Sequence, residues 1–79
     1  MTEEEFDRQV GALFDAIEAE IGSQVVSLDG FYQVGTDSPA GRAAVGALAA
    51  SHGVGIAWHP SLVPGTAVIS LILPAGLAD

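Results

Sequence analysis

His52 and His59, with Ser51 and Ser61 close by, are the residues of this 79-residue chain whose types suit proton transfer or nucleophilic attack. A serine nucleophile needs a histidine within hydrogen-bond reach and a sharp turn that exposes its hydroxyl. Ser51-His52 and His59-x-Ser61 lack the G-x-S-x-G context, and adjacent residues on one element do not face each other. Asp15 and Glu18 lie one helical turn apart, yet no H-x-x-x-H, H-E-x-x-H or calcium-loop pattern accompanies them. There is no cysteine, which removes disulfides, thiolate nucleophiles and thiolate metal sites. Gly53-Val54-Gly55 starts like a dinucleotide-binding loop. Trp58 stands where the third glycine belongs, however, the segment follows a helix, and without lysine there is no phosphate loop. The expectation is no catalytic residue, no metal and no cofactor. His52 reads as a favourable partner for the C-terminal dipole of a helix.

Two features rise above this background as candidate partner-binding sites. One is an acidic helix face carrying Glu4, Asp7, Asp15 and Glu18. The other is Trp58-His59 at the end of a strand, since tryptophan is a common anchor at binding surfaces.

The elements that must position these residues follow from pattern. Thr2 and Glu5 form a T-x-x-E capping box, and a helix is expected from Thr2 to Ile21. Phe6, Val10, Leu13, Phe14, Ile17 and Ile21 make one stripe, with the acids opposite, and Gly22 closes the helix. Val25–Leu28 and Phe31–Val34 flank Asp29-Gly30, the dipeptide that a type I′ hairpin turn requires. After a loop from Gly35 to Ser38, Ser38 caps a second helix that begins at Pro39 and stops near Gly53. Its one face carries Gly41, Ala44, Val45 and Leu48, and its other carries Arg42, Ala43, Gly46, Ala49 and Ala50. Val54–His59 and Thr66–Leu73 read as an antiparallel pair of strands, and 74–79 as a short tail. The second of these strands is apolar on both faces, which marks it as central and covered on both sides. The order is α-β-β-α-β-β, an α+β domain expected to have a four-stranded, mainly antiparallel sheet with both helices on one face. This outline resembles that of the small profilin-like Roadblock domains. A Val-Ser-x-Asp-Gly hairpin also occurs there, and Val26, Ser27, Asp29 and Gly30 match it here.

Composition limits the partners. The formal net charge is −8, most of the carboxylates fall in the first twenty residues, and Arg8 and Arg42 are the only cations. Direct binding of nucleic acid, or of an anionic membrane, needs cations that are missing. A basic protein surface is the electrostatically suitable partner. The acidic N-terminus lacks the positive region of a secretory signal, and the longest apolar run is too short to cross a bilayer, so a cytoplasmic location is expected.

Self-association is expected as well. The chain is 49% hydrophobic and only 15% charged, more apolar than so small a domain readily hides. The patches expected to mediate it are Ile69 and Leu71 on the last strand, or Ala43, Gly46, Ala49 and Ala50 on the second helix. The functional reading is a non-catalytic interaction module working as a homodimer, of the kind a small inhibitor, adaptor or phage-encoded accessory protein provides. Two rivals come from other classes. One is an acidic nucleic-acid mimic occupying a basic DNA-binding groove. The other is a small-ligand or enzymatic domain using the Trp58/His59 region.

Overall fold

A computed structural model describes residues 2–76; Met1 and 77–79, the end of the expected tail, lie outside the described residues. Helix α1 spans Glu3–Ile21 and is capped by Thr2, whose Oγ1 accepts a hydrogen bond from Glu5 N at 3.1 Å. Glu3, Glu4 and Glu5 sit in its first turn, where the dipole favours them. Gly22 ends it at φ 85°, and its N–H bonds back to Glu18 O, a left-handed stop that suits glycine.

Strands β1 (Val26–Leu28) and β2 (Phe31–Val34) form the expected hairpin, with Leu28 paired to Phe31 across the turn. Asp29 at φ 50° and Gly30 at φ 90° supply its two left-handed positions. Helix α2 spans Pro39–Ser51, with Ser38 Oγ accepting from Gly41 N at 3.0 Å. Strands β3 (Gly55–His59) and β4 (Ala67–Ile72) pair antiparallel. The turn between them is held by Ser61 Oγ against Thr66 Oγ1 at 2.7 Å and by Thr66 Oγ1 donating to Val63 O at 2.7 Å.

The sheet order is β1-β2-β4-β3, with every neighbouring pair antiparallel. The last strand is therefore central, as its apolar character implies. Both helices pack on one face. The core joins Phe6, Leu13 and Ile17 of α1 and Val45 and Ala49 of α2 to Val34, Ala67 and Ile69 of the sheet. Phe14 of α1 packs against Tyr32 of β2, with ring centroids 4.6 Å apart and planes tilted by 49°. Arg42 of α2 lies over the Trp58 ring of β3 at 5.4 Å.

Three sequence expectations about placement are corrected. Ile69 is 0% exposed and belongs to the protein's own core; Leu71, two residues on, shares its face and packs against that core. Neither lies on the open side of the sheet. The physical reason is register. Ile69 pairs with Tyr32, and Ala67 with Val34, so the odd-numbered side chains of β4 turn toward the helices. On α2, Ala49 is 2% exposed and stands in the core beside Val45, one turn away on the same side. Ala43 and Ala50 are exposed and Gly46 half-buried, so no stripe of all four faces outward. Finally, the last strand is covered by helices on one side only, not on both.

Candidate functional site: the open face of the sheet

The site is the sheet surface that no helix covers. In each strand alternate side chains reach it. From β1 and β2 come Val26, Leu28, Phe31 and Gln33; from β4 come Val68, Ser70 and Ile72; from β3 come Gly55, Ala57 and His59. Exposure separates this face from the core: Val26 is 44% exposed, Leu28 41%, Phe31 43% and Ile72 54%. Leu28 pairs with Phe31 across the hairpin and Val26 lies two residues along β1, while Ile72 stands on β4; all four are large apolar side chains left to water on one face. Among the described residues the other exposed large hydrophobics, Leu62, Val63 and Leu73, lie in the β3–β4 turn and just past β4.

His59 is built into the patch. Its ring meets Phe31 edge-on, with centroids 5.3 Å apart and planes at 87°. Its Nε2 lies 2.8 Å from Ser70 Oγ, a hydrogen bond that spans β3 to β4. Among the described strand residues no other ionisable side chain shares this face; the rest are apolar, apart from Gln33 and Ser70.

The sequence-predicted site residues are dispersed. Trp58 and His59 are neighbours on β3 and so point to opposite faces. Trp58 packs against the core beneath Arg42, while His59 stands on the open face. Glu4, Asp7 and Asp15 are exposed on α1 as expected, with Arg8 3.9 Å from Glu4 in an exposed pair. Glu18 departs from the expected solvated face. It is half-buried, and its Oε2 accepts a hydrogen bond from Val25 N at 2.9 Å, tying the helix end to the first strand. His52 caps α2, and its Nδ1 lies 3.2 Å from Gln9 Oε1 on α1, away from His59. Among the described residues there is no pocket, no cluster of three or more potential metal ligands, and no helix long and apolar enough to cross a membrane.

Sequence reasoning missed Val26, Leu28, Phe31 and Ile72 as site residues. Part of the signal was present: Phe31 and Ile72 stand next to Tyr32 and Leu71, which pack against the core, and β4 is apolar on both faces, whereas Val26 and Leu28 flank only the exposed Ser27. Comparison with protein-family models, curated proteins and solved structures gave no significant match. The resemblance to Roadblock domains thus rests on the element order and the Asp29-Gly30 hairpin alone.

Proposed function

We propose that the protein is a non-catalytic interaction module that self-associates as a two-fold dimer through the open face of its sheet. The observation that carries this reading is the patch of Val26, Leu28, Phe31 and Ile72, exposed together on the face opposite the helices. A second copy is the occupant that the charge distribution favours. The chain carries a net charge of −8, which opposes any contact that brings two α1 helices together. Helix α1 lies on the far side of the sheet, so face-to-face pairing keeps the two acidic surfaces apart and buries no carboxylate. A two-fold axis lets one patch bury itself against its own copy. In such a dimer the exposed acids Glu4, Asp7 and Asp15 remain on the outside. There they offer two identical faces to a basic protein, which is how a small adaptor or inhibitor gains avidity.

Sedimentation equilibrium tests the reading. The unmodified protein should show a dimer mass at about 100 μM, in the affinity range of modest interfaces. Ile72→Glu should be monomeric and folded. A monomeric unmodified protein, or a dimer that Ile72→Glu leaves intact, overturns it.

A further inference from the structure

His59 is the one ionisable side chain that the strands place on the open face, and it lies within the apolar patch, between Phe31 and Ser70. We propose that His59 makes self-association proton-dependent, so that the dimer holds when the imidazole is neutral and loosens when it is protonated. This rests on the reading of the open face as a self-association surface.

Hydrogen bonding and desolvation set the direction of the effect. A neutral imidazole offers one donor and one acceptor, whereas an imidazolium offers two donors. Ser70 Oγ, at 2.8 Å from Nε2, can serve either form at that nitrogen. The second donor of the charged form then needs a further acceptor, and the charge itself is best met by water or a carboxylate. Neither is provided by the elements around the ring. The ring meets Phe31 of β2 and Ser70 of β4; by register the same face holds Val68 opposite it on β4, Gln33 opposite Val68 on β2, and Ala57 on β3, and none of these five is ionisable. The adjoining turn contributes Pro60 and the hydroxyl pair Ser61–Thr66, again uncharged. A second copy docking on this face brings the same side chains. In the free chain His59 is half-buried and keeps access to water; in the dimer a charged ring loses it. Burying an unpaired charge is costly, so protons bind better to the monomer and association falls as pH falls. Histidine is the side chain whose charge changes between about pH 5 and pH 8, which sets the window.

The test is the dimer dissociation constant at about pH 7.5 and about pH 5, bracketing the ordinary histidine range. It should be run in about 0.5 M salt, so that carboxylate repulsion between copies is screened. Far-UV circular dichroism verifies the fold at both. The constant should rise about tenfold or more at the lower pH, the scale of one charged donor left unpaired at a contact. In His59→Gln the change should shrink to under about twofold, while His52→Gln, on the helix side, should behave like the parent. A dimer with equal constants at both pH values, or a pH effect that survives His59→Gln, overturns this inference and leaves the dimer standing. A monomer under both conditions overturns the self-association reading and this inference with it.

Discussion

The two faces of the sheet are made from similar residue types and end in different surroundings. Toward the helices stand Tyr32, Val34, Ala67, Ile69 and Trp58, sealed by Leu13, Ile17 and Val45. Toward the other side stand Val26, Leu28, Phe31 and Ile72, left to water. Neighbours on a single strand, such as Ile69 and Ile72, therefore face opposite fates. Two helices cover one face of a four-stranded sheet and no more. A chain that makes both faces apolar leaves the second open to water.

This contrast can be broken most severely at Ile69. Ile69→Glu puts a carboxylate among sealed apolar side chains and should abolish cooperative folding, read as loss of the thermal transition. Ile72→Glu, three residues away, should leave the folded monomer intact and shift its unfolding free energy by under about 0.5 kcal/mol, as at an ordinary surface position. Equal effects at the two positions would mean the faces are not distinct. Next in size is Leu13→Ala or Ile17→Ala, each expected to cost about 2–5 kcal/mol by denaturant unfolding, the usual range for a core residue. A silent Leu13→Ala would place the stripe of α1 away from the sheet.

Smaller effects sharpen the account of the helices. Ala49→Leu overfills the contact of α2 with the core and should destabilise by about 1–3 kcal/mol, whereas Ala50→Leu, exposed, should be nearly neutral. Smallest is the carboxylate pair on α1. Glu18→Ala removes the acceptor for Val25 N and should cost about 1 kcal/mol, toward the low end because the group is half-buried rather than sealed. Asp15→Asn should move stability by under about 0.5 kcal/mol. Matching losses at both sites would make the acidic face uniform after all.

The local grammar of the fold was legible because its signals act over a few residues. Thr2 with Glu5, Asp29-Gly30, Ser38-Pro39 and Gly22 each solve a backbone problem nearby, and each sits where the pattern put it. The central place of β4 could also be read, from apolar residues on both faces. The same feature hid its orientation. When both faces are apolar, alternation does not say which is inward, and that was decided by pairing with β2, through Tyr32 against Ile69. Helix α2 posed the same difficulty: small or apolar nearly all round, it gives little contrast to place Ala49 inward. The role of Glu18 depends on where the chain returns after Gly22, a tertiary fact that helix periodicity does not carry.

The central claim, that the open sheet face meets a second copy of itself, is tested most directly by isotope-filtered NMR on a dimer mixed from labelled and unlabelled chains. It predicts contacts between chains from the Phe31 ring and the methyl groups of Val26, Leu28 and Ile72. Contacts between chains confined to the Ala43 and Ala50 methyls of α2, or none at all, would contradict it.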